Sequence, residues 1–403
     1  MTTPESDKAV SGAAVPRIDV IDGLRGYFLV FMLINHLVFN GGYWLIWVNQ
    51  RQIAFVEDAQ GFVFISGLLV GMVYGRKMLR AGFARGAGAL WRRSGEIYLY
   101  AMASLAGVLT LAWLAPRASQ SWTDWLGALD WSNIPGLASA ALLLYQPTLL
   151  DILPQYVVYM VAAPVLVWAC LRGHGGMVLV GSALLWLAAQ FGLHHPFTAA
   201  LNAWLAEHGR TGLRVHFNLM AWQIVFVSAM VLGVLTVTGR LRWDQVFRPD
   251  QTWLPKTALA ICLFFLPFRV GLTTNHIPPQ VLERFSQFEL RGDFSLVYLL
   301  NFAAAGSGLA WLLIAGPRSP RAWIRQVADL LLRLFRAPFL RLLGRHSLQI
   351  YAWHVLLVFG VRTLDFYEGP FPQASRIAIA LACLALLMLP ALWREGRVFK
   401  VAT

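Results

Sequence analysis

The chain has 403 residues, 58% of them apolar and only 13% charged, and a formal charge of +13; its mean hydropathy is +0.58. Soluble domains carry about 25% charged residues, so a soluble enzyme is excluded and a chain that crosses a bilayer many times is expected. The basic excess then reads as the cations that orient a membrane protein, not as a nucleic-acid surface. Cys170, Cys262 and Cys383 are odd in number, far apart and in or beside apolar runs, so neither a disulfide framework nor a metal site is expected.

Residues 1–17 are polar and are expected to form a disordered cytoplasmic segment. The apolar run that follows holds Asp22 and Arg25 and lacks a clean small-residue cleavage site, so it is expected to stay as the first helix. Apolar spans fall near 19–39, 58–75, 95–115, 152–171, 177–193, 219–238, 256–274, 294–315, 346–364 and 374–393. They predict an all-α polytopic membrane protein of about ten transmembrane helices around a central cavity.

An even number of spans puts both termini on one side, and the loop charges say which. Arg76, Lys77, Arg80, Arg85, Arg92 and Arg93 follow span two, and Arg240, Arg242 and Arg248 follow span six. Arg318, Arg321, Arg325, Arg333, Arg336, Arg341 and Arg345 precede span nine, and the tail adds Arg394, Arg397 and Lys400. The opposite side holds only Arg51, Arg117, Arg210, Arg214, Arg284, Arg291 and Arg376. Both termini are therefore expected in the cytoplasm. Segment 321–345 repeats arginine among apolar residues and reads as one amphipathic helix on the anionic inner leaflet. The expected layout is a single membrane domain over 18–395 and a cytoplasmic tail over 396–403.

The first span carries the sharpest signal. Its Asp22, Arg25, Asn35 and His36 are costly in hydrocarbon. His36 follows Arg25 by eleven residues, within about 20° of three full turns and roughly 16 Å along the axis. Both therefore project from one face, with Asp22 one turn before Arg25 and close enough to pair with it. Such a face must line a polar cavity.

Other polar groups recur at the span ends. Glu57 and Asp58 open span two where His36 leaves the membrane, either as a solvated helix start favoured by the dipole or as carboxylates that orient the imidazole. Gly67, Gly71 and Gly75 form a small-residue face suited to close helix packing, with Ser66 beside it. Asp151 before Pro154 is a helix-start signature that also sets a carboxylate near the level of His36. Gln155 follows it, and His216, Asn218 and Trp222 open span six as an interfacial belt or a sugar-binding rim. Ser347, Tyr351 and His354 form one stripe of span nine, facing a bundle interior for hydrogen bonding or for chemistry. Trp122, Trp125 and Trp131 in the 116–151 loop read as headgroup anchors or as stacking surfaces for a sugar ring.

The Arg25-(ten residues)-His36 pattern, the FVFISG opening of span two and the LG-xx-SL-x-IY-xx-H stretch at 343–354 resemble the acyltransferase family 3 superfamily. Within it, DGLRG, INH, FVFISG and DILPQY look most like the OpgC family, named for membrane proteins that succinylate osmoregulated periplasmic glucans. The likeness runs from about Arg17 to about Leu389. The resemblance implies a ten-helix O-acyltransferase of the bacterial inner membrane. It would move an acyl group, succinyl among the candidates, from cytoplasmic acyl-CoA to a periplasmic glycan hydroxyl. It also implies His36 as the catalytic histidine with Arg25 as its partner; His346, where the wider group has other polar residues, receives no role.

These readings together give the candidate assignments. His36, Glu57 and Asp58 are catalytic candidates, with His36 either a base or an acyl acceptor. Arg25, Asp22, Ser347, Tyr351 and His354 are candidates for the acyl-CoA side, where a guanidinium suits phosphate or carboxylate. Asn35, Ser66, Asp151, Gln155, His216, Asn218 and Trp222 are candidates for the carbohydrate side. Two rival classes stay open: a proton-coupled transporter using the same polar face, and a non-catalytic membrane partner in a glucan-making complex.

Overall fold

A computed structural model describes residues 18–127, 129–208, 212–286 and 290–401. The polar segment 1–17 and Arg210 lie outside the described residues. Among the described residues every regular element is a helix, with one isolated bridge between Tyr145 and Arg214. The main helices are α1 Asp19–His36, α2 Asp58–Leu114, α3 Ile152–Ala169, α4 Gly175–Gln190, α5 Leu219–Val237, α6 Trp253–Thr273, α7 Leu296–Ile314, α8 Ala322–Phe335, α9 Pro338–Arg345, α10 Ser347–Glu368, α11 Gln373–Leu386 and α12 Leu389–Val401. Seven helical stretches among the described residues are long and apolar enough to cross a membrane.

Two of the seven are longer than one crossing. The 57 residues of α2 would run about 86 Å if straight, against about 30 Å of hydrocarbon. Gly82 breaks the run at φ +81°, a conformation that side chains with a Cβ rarely adopt. Residues 66–74 on one side of the break and 93–97 on the other then line the same cavity, so the element is a hairpin of two arms. The stretch 76–94, read from sequence as a basic loop, is thus almost wholly helical; the helix simply continues after its apolar residues end. Ile152–Gln190 is likewise interrupted at Cys170–His174, where Gly173 has φ +96°.

The glycine face packs as its spacing implies. A methyl on Gly67 or Gly71 would overlap the carbonyls of Phe226 and Met230 on α5, and one on Gly233 would overlap the Leu68 carbonyl in return. Backbones can approach this closely only where both helices present small residues.

The basic segment differs from expectation. It forms two helices, not one, because Pro338 starts a new helix after the turn at Arg336 and Ala337. It also packs on the first half of α1. Methyls on Gly23, Gly26 and Gly344 would collide with the main chain of Phe335, Leu340 and Asp22. Arg341 lies 3.3 Å from Asp19, and Arg345 lies 3.8 Å from both Asp19 and Asp22. Part of its arginine content therefore answers the acidic start of α1.

Candidate functional site

Arg25 and His36 both point into the protein, but not into one chamber. Arg25 lines a cavity of about 240 Å³ with Phe62, Ser66, Arg93, Tyr156 and Ser347. His36 lines a second, of about 110 Å³, with Asn35, Glu57, Asp58, Asp151 and His216. Tyr351 lines both, so its ring belongs to the wall between them. The single polar cavity expected from the helix face is two adjoining ones.

On the Arg25 side the guanidinium donates to the Ser347 hydroxyl and sits 5.7 Å from the Phe62 ring centre. Its Nε has no hydrogen-bond partner among the described residues. A half-buried cation with an unused donor is suited to a carboxylate or phosphate oxygen. Asp22, expected beside Arg25, has its carboxylate 3.8 Å from Arg345. Ser66 lines the cavity as predicted.

On the His36 side, the imidazole's partner is another imidazole. His36 Nδ1 lies 3.1 Å from His354 Nε2, with ring centres 5.4 Å apart and planes at 28°. His354 Nδ1 in turn meets the Tyr351 carbonyl. Tyr351 donates its hydroxyl to the Leu149 carbonyl at 3.0 Å, and its ring meets His354 edge-on at 4.7 Å. His354, placed by sequence on the donor side, thus contacts the catalytic candidate His36.

Among the described residues neither carboxylate at the start of α2 hydrogen-bonds His36. Asp58 accepts from Asn35 at 2.6 Å, Asn49 at 3.0 Å and Gln50 at 2.5 Å. Glu57 forms a capping box with Gln60 and lies 3.2 Å from each of Arg51 and Arg291. Both are buried, yet both line the His36 cavity. Asn35 spends its amide nitrogen on Asp58, while its side-chain oxygen has no hydrogen-bond partner among the described residues and the residue lines the His36 cavity.

The remaining acceptor-side candidates divide. Asp151 and His216 meet in the His36 cavity, and the Asp151 side chain does not cap its helix. Burial pushes the Asp151 carboxyl above the ordinary aspartate range, and His216 opposes that rise. Gln155 is buried and donates to the Tyr159 hydroxyl at 2.8 Å. Asn218 caps α5 through the Met220 amide and donates to Asp293 at 2.9 Å. Trp222 donates to the Gly292 carbonyl at 3.1 Å and is fully buried between Phe217 and Phe294. Asn218 and Trp222 therefore tie down the chain before α7, and the burial of the Trp222 ring leaves no exposed face for stacking on a sugar.

Sequence reasoning passed over Arg51, Arg291, Arg93 and Tyr156 as site residues. From sequence, Arg51 and Arg291 read only as outer-loop charges. Their signal was scarcity: a side depleted of cations keeps the few it has for a reason.

A family profile described as OpgC protein matches residues 17–397, nearly the whole chain. No curated protein and no solved structure matches. With its apolar helices and this match, the chain belongs to the OpgC family of glucan-modifying membrane proteins.

Proposed function

We propose that this chain is a membrane O-acyltransferase that passes an acyl group from cytoplasmic acyl-CoA to hydroxyls of a periplasmic glucan, with succinyl as the group the family favours. Counting each kinked element as two crossings and adding α1 to the other membrane-length helices supports a ten-crossing reading, and the arginine distribution favours both termini in the cytoplasm of an inner-membrane protein. The observation that carries the reading is one helix, α1, presenting a cation to one cavity and an imidazole to its neighbour, with Tyr351 between.

In this reading the acyl end enters on the Arg25 side. That cavity is smaller than the roughly 300–1,000 Å³ of sites that engulf a whole ligand, so it takes the acyl group and thioester and leaves the nucleotide outside. Arg25 with its free Nε holds the negative end of the donor. The sugar hydroxyl comes to the His36 side among Asp151, His216 and the two arginines on Glu57. His36 takes the hydroxyl proton as the oxygen attacks the thioester carbonyl. The carbon–sulfur bond then breaks, and the leaving thiolate recovers the proton. A base of this kind contributes about 10²–10⁴-fold. Because Tyr351 lines both cavities, the carbonyl must reach past its ring.

The test is mass spectrometry of envelope glucans from cells lacking the gene, and from cells restored with wild type or His36→Ala. Loss of an acyl mass in the deletion, recovered by wild type and not by the variant, is expected. Full recovery by His36→Ala would remove the histidine from the chemistry.

A further inference from the structure

The two histidines meet in a way that fixes which nitrogen of each carries hydrogen. His354 is fully buried. Its Nδ1 faces the Tyr351 carbonyl one helical turn earlier. A carbonyl can only accept, so Nδ1 of His354 must carry a hydrogen. A doubly protonated His354 would be a buried cation whose hydrogen-bond partners among the described residues are a carbonyl and a second imidazole, with no carboxylate among them to offset an expensive state. In neutral His354 the lone pair is therefore on Nε2. That atom lies 3.1 Å from His36 Nδ1, which must then be the donor. The lone pair of His36 is left on Nε2.

We propose that His354 is a positioning residue: its hydrogen bonds to the Tyr351 carbonyl and to His36 hold His36 as the Nδ1–H tautomer and free its Nε2 to accept a proton. This deepens the reading of His36 as the base and rests on it. The contact also favours the reacting state. When Nε2 takes the hydroxyl proton, the ring becomes a cation, and its Nδ1–H bond to His354 becomes charge-assisted and roughly twice as strong. An interaction that strengthens as charge develops lowers the barrier and does not merely tighten binding. The orienting role that sequence reasoning offered to Glu57 or Asp58 falls instead to a neutral imidazole from α10.

The test compares wild type, His354→Phe, His354→Gln and His36→Ala, all purified in detergent with nitrogen-15 in the histidine rings. Phenylalanine fills the space without an acceptor, whereas glutamine can present a carbonyl oxygen near the place of Nε2. In wild type the ring signals lost in His36→Ala should be those of an Nδ1–H tautomer, and in His354→Phe they should move towards Nε2–H. For acyl transfer, His354→Phe should lower kcat about 10–100-fold with KM little changed, the scale seen when a metal-bound histidine loses the partner that orients it. His354→Gln should recover part of that loss, and His354→Phe should have no further effect in a His36→Ala background. An Nε2–H signal for His36 in wild type, unchanged kcat in His354→Phe, or an equal loss in both His354 variants that persists without His36 would overturn the proposal. Wild type that shows the Nδ1–H tautomer but transfers no acyl group would leave the positioning intact and refute the acyltransferase reading instead.

Discussion

Arg25→Lys probes the donor side most sharply. Lysine keeps the positive charge but replaces a planar fork of five donors with a point charge on a flexible stem. In the structure the fork is divided: one terminal nitrogen serves Ser347, and Nε has no partner among the described residues. If that spare donor binds the anionic end of an acyl-CoA, the single ammonium of lysine cannot hold Ser347 and the donor in the separate directions that the fork serves. One hydrogen bond to a charged group is worth about 1.5–3 kcal/mol, which is roughly 10–150-fold in affinity. The variant should therefore raise KM for acyl-CoA by that factor while kcat and KM for the glucan stay near wild type. The assay is initial-rate kinetics with purified protein, varying each substrate in turn. An unchanged KM for acyl-CoA with a large fall in kcat would refute donor binding and place Arg25 in the chemical step or in the fold alone.

Two further outcomes concern the frame around the site. Gly71→Leu should lower the melting temperature in detergent sharply and Gly75→Leu only slightly, because a methyl at 71 overlaps the α5 main chain whereas one at 75 meets only valine side chains at 3.4 Å and beyond; equal effects would remove the packing account. Asp58→Asn should destabilise by about 1–3 kcal/mol, since one oxygen that accepts an amide becomes an opposing donor. An unchanged melting point with a collapse in kcat would return Asp58 to the catalytic group.

Much of this was legible along the chain because hydrocarbon penalises polar groups. Arg25, His36, Ser347, Tyr351 and His354 stand out in apolar spans, and all five line or adjoin the two cavities. The glycine face read correctly for a similar reason: few structures other than a tight seam use that spacing. What stayed hidden depended on which helices meet. The His36–His354 contact joins residues 318 positions apart, and no local pattern reports it. The partners of Glu57 and Asp58 include Arg51, Arg291, Asn49 and Gln50, which sit in connections and a single short 3-10 turn where sequence pattern says little about direction. Hydropathy also ended span two near 75, although the helix runs on to the break at Gly82; charge marks where apolar residues stop, not where backbone hydrogen bonds do. Pro338, by contrast, was a visible stop inside the basic segment, and reading 321–345 as one helix overlooked it.

Acyl transfer by His36 across the membrane is the central claim. The direct measurement uses vesicles containing the purified protein, with carbon-13 succinyl-CoA supplied on the face of the chain termini and an unmodified glucan on the other. Wild type should place label on the glucan and His36→Ala should not. Label transferred equally by both proteins, or by neither while the wild type is folded, would contradict it.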